Sequence, residues 1–313
     1  MKKCMGCMRD YGEEYNQCPA CGYSQEQADA DKKRMPEILP AGTILSGRYI
    51  LGRVLSNTDY SIIYMAWDAL LLKRVAVREY FPVGLGRRSK RTNKISVQNS
   101  EKKKMFLYGL HAFEKEMILL HKMQDITGIV EVYRCIRENN TTYAVMEYLQ
   151  GCTLQDRMDQ EKRISPGEAG QIFRGLAGVL ENLHARGICH GNLSPDSIYL
   201  EDTGRMRLID FGGAKLQAYR KIGAEMEIFQ TAYLAPEVMK GQAPEKNADL
   251  YSLGMIYARM LSGKEPKEGR PRLKSGNMDL EAQKLIQYLT AAKAEQRPEN
   301  VQQLRAWMER ENG

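Results

Sequence analysis

At 313 residues, with 43% hydrophobic and 27% charged side chains, the chain is long enough for one large folded domain or two smaller ones. No apolar run approaches the roughly 18 residues of a spanning helix, and the start Met1-Lys2-Lys3-Cys4-Met5-Gly6 has no apolar signal core, so a soluble, cytoplasmic protein is expected. The formal charge is +7, and the whole excess falls between Arg87 and Lys104, where eight cations face Glu101 alone.

The first element in chain order is a cysteine module over residues 1–26. Cys4-x-x-Cys7 and Cys18-x-x-Cys21 are separated by ten residues, the spacing of a four-cysteine zinc ribbon. Each pair presents two thiolates from one tight turn, and two turns complete a tetrahedron. So short a segment has too few large apolar side chains to fold on a core of its own, so the metal supplies the folding energy. Structural zinc is the expected occupant; rubredoxin-like iron and a redox dithiol are the other chemistries open to this set. Cys135, Cys152 and Cys189 are dispersed through apolar sequence and are expected as small core hydrophobes.

Residues 27–41 are polar, carry Pro36 and Pro40 and read as a linker. Short β-branched and aromatic runs follow at Arg48–Val54, Ile62–Trp67, Arg74–Arg78, Ile129–Ile136 and Thr141–Met146, which predict five strands. The Arg87–Lys104 stretch is too charged to bury itself and is expected as a solvated, mobile loop. Its functional alternative is a docking patch for an acidic partner, nucleic acid or anionic lipid. Leu110, Phe113, Met117 and Leu120 predict a helix over Phe106–Met123. Ser165-Pro166-Gly167-Glu168 reads as a capping box opening a helix with Ile172, Leu176, Val179, Leu180 and Leu183 on one face. Further helices are expected near Asn247–Leu261, Asp279–Ala292 and Glu299–Glu309. Strands first and helices afterwards argue for an α+β, two-lobed arrangement.

From Ile44 to Met308 the order of motifs resembles a bacterial Ser/Thr protein kinase domain of the eukaryotic-like type. Gly47-Arg48-Tyr49-Ile50-Leu51-Gly52 matches the entry into the first strand, and Val75-Ala76-Val77-Arg78-Glu79-Tyr80 the third. Val145-Met146-Glu147-Tyr148-Leu149 resembles the hinge, and His190 to Ser197 the catalytic loop. Asp210-Phe211-Gly212, Ala235-Pro236-Glu237, Asp249-x-Tyr251-Ser252-x-Gly254 and Gln296-Arg297-Pro298 follow in the family's order. The resemblance implies a β-rich N-lobe over about 42–147 and a helical C-lobe over about 148–313.

It also implies an ATP–magnesium site whose parts are altered here. The family's G-x-G-x-x-G loop lets backbone amides close over phosphates; the corresponding residues are Ser56-Asn57-Thr58-Asp59-Tyr60-Ser61, with no glycine. Arg78 stands at the position of the phosphate-holding lysine, with Glu116 as its expected partner; Met146 corresponds to the gatekeeper, and Ala76 belongs with them to the implied nucleotide-binding set. Arg and Lys are not interchangeable at so tight a site. The catalytic base is Asn192, which orients a hydroxyl but cannot take its proton at neutral pH. Gly191 replaces the arginine that meets an activation-loop phosphate, Ser197 replaces the second metal ligand, and Asp210 alone survives intact. His190 is expected to be a packed histidine, His111, His121 and His184 show no ligand spacing, and Asp196 matches a structural acidic position.

Residues matching architecture are retained, while those handling phosphate, proton and metal are altered, except Asp210. That pattern describes a pseudokinase, acting as a regulator or scaffold for an active kinase or other signalling protein. The alternatives are a slow or atypical kinase or nucleotidyl transferase working through Arg78, Glu116 and Asp210, and a nucleic-acid or lipid adaptor using the ribbon and the basic stretch.

Overall fold

The computed structural model describes residues 1–211, 231–267, 270–273 and 278–311. They form two compact units, one of residues 1–121 with 131–149 and one of residues 122–130 with 150–313. The fold is the kinase-like α+β one, with a sheet-based N-lobe and a helical C-lobe.

The first unit opens with β1 (Lys2–Lys3) and β2 (Asp10–Tyr11), a two-stranded antiparallel pair beside the cysteine turns. Residues 27–41, read as a linker, instead carry most of helix α1 (Gln25–Arg34). This helix buries no side chain and is held by its ends. Ser24 and Gln27 form a reciprocal capping box, and Lys32, Lys33 and Arg34 sit at the negative end of the helix dipole.

A six-stranded antiparallel sheet follows. Its strands are β3 (Ile44–Leu45), β4 (Tyr49–Asn57), β5 (Ser61–Asp68), β6 (Lys73–Tyr80), β9 (Val132–Glu138) and β10 (Thr141–Glu147). Their spatial order is β3-β4-β5-β6-β10-β9. The central strand β6 is buried from Val75 to Tyr80, so both of its faces need partners. Successive strand residues point to opposite faces. Arg78 and Tyr80 therefore meet helix α2 (Ser100–Lys122), Arg78 through Glu116 and Tyr80 through a hydroxyl bond of 3.0 Å to the Phe106 carbonyl. Glu79 faces the other way, accepting from the Tyr64 hydroxyl at 2.9 Å.

Arg88 lies 2.7 Å from Glu79 and its side chain is 2% exposed. This corrects the expectation for the basic stretch. A buried carboxylate requires a counter-charge, and Arg88 supplies it while also donating to the carbonyls of Glu37 and Asn93. The stretch is thereby folded into a hairpin of β7 (Arg87–Arg88) and β8 (Ile95–Ser96), with Ile95 buried. Helix α2 starts six residues earlier than its apolar spacing indicates, with Asn99 Oδ1 capping the Lys102 N–H at 2.8 Å.

The second unit holds β11 (Gly151–Thr153), α3 (Leu154–Glu161), α4 (Pro166–Ala185), β12 (Ile198–Glu201) and β13 (Met206–Leu208). Helices α5 (Pro236–Met239), α6 (Lys246–Ser262), α7 (Leu280–Leu289) and α8 (Val301–Glu311) complete its described elements. Helix α6 is buried on nearly every side from Ala248 to Ser262, as expected of a core helix. Ser165 caps α4 through the Glu168 N–H. The Glu168 carboxylate takes Arg157 instead of closing the expected box. Of the dispersed cysteines, Cys135 is exposed and Cys152 and Cys189 are half-buried, so none is the fully buried hydrophobe expected. No described helix is long and apolar enough to cross a membrane.

Candidate functional site

In the first unit, the residues at the phosphate-loop position close on themselves. Thr58 N–H donates to the Ser61 carbonyl at 3.0 Å, and the Thr58 hydroxyl accepts from the N–H groups of Tyr60 and Ser61 at 3.4 and 3.1 Å. Tyr60 turns inward, 1% exposed, and its hydroxyl donates to the Gly109 carbonyl of α2 at 2.9 Å. Its ring meets Tyr80 edge-on at 5.1 Å and Phe113 at 6.4 Å. Asp59 is exposed at the tip, and its carbonyl accepts from the Val83 N–H at 2.8 Å. The N–H groups of Thr58, Tyr60 and Ser61 are thus already engaged inside the turn.

Arg78 reinforces that closure. Its Nη1 donates to Glu116 Oε1 at 3.0 Å, its Nε donates to Ser61 Oγ at 3.1 Å, and the guanidinium lies 5.7 Å from the Phe113 ring centre. Both partners of the pair are buried, at 7% and 1% side-chain exposure. The expected Arg78–Glu116 pair is formed, and it ties the strand to the turn. Ala76 and Met146 are direct cross-strand neighbours, both buried.

In the second unit, Asp249 anchors the loop that follows α4. Its Oδ2 accepts from the His190 N–H at 2.8 Å and lies 2.8 Å from His184 Nε2, and its Oδ1 accepts from the Gly191 N–H at 2.8 Å. Gly191 has φ +74°, a conformation glycine adopts without the steric penalty of a side chain. His190 is fully buried and packs on Phe211 with ring centres 4.8 Å apart. His184, Cys189 and Asp249 also cluster. The carboxylate of this trio is already taken by His184 and two backbone amides, so it serves as a loop anchor.

Ser197 is 1% exposed, and its hydroxyl closes a local turn. It donates to the Ser194 carbonyl at 2.7 Å and accepts from the Ser194 N–H at 3.1 Å. Asn192 Oδ1 is buried and has no hydrogen-bond partner among the described residues. Asp196 is exposed and Asp210 half-buried. Gly212, the last residue of the Asp210-Phe211-Gly212 motif, lies outside the described residues.

The four N-terminal cysteines converge, with their Sγ atoms within 4.8 Å of one another. Tetrahedral zinc with Zn–S bonds of about 2.3 Å separates sulfurs by about 3.8 Å. The Cys7–Cys18 and Cys4–Cys21 separations are 3.8 and 3.5 Å, so the set fits a four-thiolate cation. Burial pushes the Cys4 thiol up to about 12. At Cys18 burial acts in the same sense, but the N–H groups of Ala20 and Cys21 outweigh it and bring the thiol down to about 7. A divalent cation would supply the charge that holds all four as thiolates.

The protein kinase domain profile matches residues 83–312, most of the chain. The chain belongs to the protein kinase family. Among its relatives are the putative CBL-interacting protein kinase 27 of Oryza sativa subsp. japonica, 27% identical over 226 residues, and the serine/threonine-protein kinase PrkC of Bacillus subtilis, 26% identical over 243. These alignments cover 71% and 77% of this chain but only 51% and 34% of the relatives. The solved apo structure of PpkA-294 superposes with a TM-score of 0.79 at 23% identity, covering 87% of this chain and 99% of that one. The kinase profile begins at residue 83, after the strands that carry the Thr58–Ser61 turn and Arg78.

Within this protein kinase chain, the structure brings Arg78 together with Glu116, Ala76 with Met146, and the four cysteines with one another. It gives Ser197 to a local turn. Sequence reasoning missed Tyr60, Thr58 and Ser61 as the residues that close the loop, and Arg88 with Glu79 as a buried pair. The Thr-x-x-Ser spacing is the only sequence signal for the first set. The pair leaves none, because its members are joined across the sheet face.

Proposed function

We propose that this protein is a catalytically impaired member of the kinase family that works as a regulatory or scaffolding protein, with structural zinc held by Cys4, Cys7, Cys18 and Cys21. In this reading residues 1–26 are a ribbon and residues 42–313 the kinase-like part. The carrying observation is the Thr58–Ser61 turn. Kinases close this loop over ATP through free backbone N–H groups, and here three of those groups are bonded within the turn while Tyr60 and Arg78 fasten it to the lobe.

The catalytic-loop residues support the same conclusion. Asn192 accepts a hydrogen bond from a hydroxyl but takes up no proton, and general-base catalysis is worth about 10²–10⁴-fold. Ser197 offers the one oxygen that already closes its own turn, which leaves Asp210 as the remaining magnesium ligand of the family pattern. Asn192 and Asp210 are therefore assigned as the degenerate base and the residual metal position, and Arg78, Glu116, Ala76, Met146 and Ser197 as the altered nucleotide surround. An active kinase or another signalling protein is the partner class this shape serves.

The test is γ-phosphate transfer by the purified chain in magnesium and manganese, alongside Asp210→Ala. Transfer at the level of the Asp210→Ala control supports the proposal; metal-dependent transfer lost in that variant overturns it.

A second reading is favoured by the basic hairpin. Arg87, Lys90, Arg91, Lys94 and Lys102–Lys104 are exposed on a folded platform, which suits an anionic partner. Binding to a polyanion should then weaken steeply with salt; salt-insensitive binding would remove this reading.

A further inference from the structure

The two cysteine knuckles share a backbone turn but differ in the residue that makes its left-handed step. In each, the N–H four residues past the first cysteine donates to that cysteine's carbonyl at 2.8 Å, from Met8 to Cys4 and from Gly22 to Cys18. Both donors have left-handed backbones, with φ +62° at Met8 and +72° at Gly22. Glycine is the residue that conformation favours, and Gly22 is exposed with open space around it. Met8 stands at the equivalent position and is 2% exposed.

What Met8 touches explains the exception. Its Cε lies 2.2 Å from where a side chain on Gly52 would begin, and the Met5 carbonyl oxygen lies equally close. That carbonyl accepts a 2.7 Å hydrogen bond from the Arg53 N–H. The first knuckle therefore sits directly on strand β4, at the one position where no side chain stands in the way. Lys3 extends the contact to the next strand, with its ammonium 3.9 Å from the Trp67 ring centre. The far side is fastened too. The Leu39 N–H donates to the Tyr64 hydroxyl at 3.0 Å, and Arg88 holds the Glu37 carbonyl.

The ribbon has almost no core with which to hold this shape. Within residues 1–26 only Cys4, Gly6, Met8 and Cys18 are buried, all of them in the knuckles. The geometry that aims Met5 and Met8 at β4 thus depends on the four thiolates being drawn together. Strand β4 in turn runs straight into the Thr58–Ser61 turn.

We propose that the metal-loaded ribbon is a built-in brace of the N-terminal sheet, coupling metal occupancy at Cys4, Cys7, Cys18 and Cys21 to the stability of β4 through Met5, Met8, Gly52 and Arg53. The inference rests on the metal reading of the cysteine set. It makes the ribbon's first knuckle an internal contact surface, and loss of metal an input to the sheet.

The experiment uses the full chain. Zinc content is measured first, then thermal unfolding and hydrogen exchange at the Arg53 amide, before and after stripping the metal with a chelator. The expected result is one zinc per chain, a fall in Tm on stripping of at least about 2–4 °C, and exchange at Arg53 faster by several-fold. Gly52→Val, which pushes the knuckle off the strand, should keep its zinc yet lose the chelator-dependent shift. Met8→Gly, which keeps the left-handed turn but removes the plug, should do the same in milder form and serves if Gly52→Val fails to fold. A chain without metal overturns both the metal reading and the brace. A zinc-loaded wild type whose Tm and Arg53 exchange ignore stripping overturns the brace alone, as does a Met8→Gly chain with the full wild-type shift.

Discussion

Arg78 and Glu79 stand next to each other on the buried part of β6 and point in opposite directions, so the sheet must neutralise a cation on one face and an anion on the other. Glu116 does the first, and Arg88, drawn in from a segment of high charge, does the second. Removing one member of a buried pair leaves the other uncompensated and costs about 3–5 kcal/mol, whereas replacing both is far milder. Arg88→Met should therefore lower stability by about that amount, and adding Glu79→Gln should restore much of it. Urea unfolding midpoints of the two single variants and the double variant measure this. Additive losses would show that the two residues act independently. The same logic explains why a run of cations misleads when read as a string. Seven of the eight behave as solvated charges, and one is recruited by a carboxylate that cannot be seen as its neighbour in the sequence.

On the proposed reading, the Thr58–Ser61 turn is the element that closes the nucleotide site. Its side chains do what glycine would prevent: Thr58 bonds the following amides, and Tyr60 plugs into α2. Replacing Thr58 and Ser61 by glycine removes the internal acceptor and the anchor for Arg78 together. The Thr58→Gly/Ser61→Gly chain should gain a magnesium-dependent rise in Tm with ATP that the wild type lacks. Occupancy at a hundredfold excess over Kd is worth about 2.7 kcal/mol. Equal responses in the two chains would show that the turn is not what closes the site. The strands and most helices were legible because apolar periodicity and caps are local signals; β4, β5, β6, β9 and β10 fall where their apolar runs lie. Helix α1 was hidden because it has no apolar face, although the Ser24-x-x-Gln27 signature was present. The altered site positions could be read by matching motifs. The closure of the turn could not, since it depends on Tyr60 meeting Gly109 from 49 residues away.

Among the described residues, the ion pairs that match the family's architecture are formed. The Arg297–Glu237 pair is the clearest case, bidentate at 2.7 and 2.8 Å within the second unit. Burial pushes the Glu237 carboxyl up, but the two bonds from Arg297 pull it down further, so it lies below the usual carboxylate range. A carboxyl depressed in the folded state contributes stability that is fully present above its unfolded value of about 4.3 and is lost as pH falls through its folded value. Glu237→Gln keeps the shape and removes the charge. Its stability deficit should be largest near neutral pH and should shrink as the pH drops below about 4.3, where the wild-type carboxyl also becomes neutral. Denaturant midpoints of the two chains from pH 7 down to the acid limit give the deficit directly, because Asp68 and Glu114, also depressed by arginines, are common to both. A deficit that stays constant with pH would mean that the pair acts through packing alone. A deficit that closes in acid would mean that charge pairing between segments 60 residues apart holds this unit together.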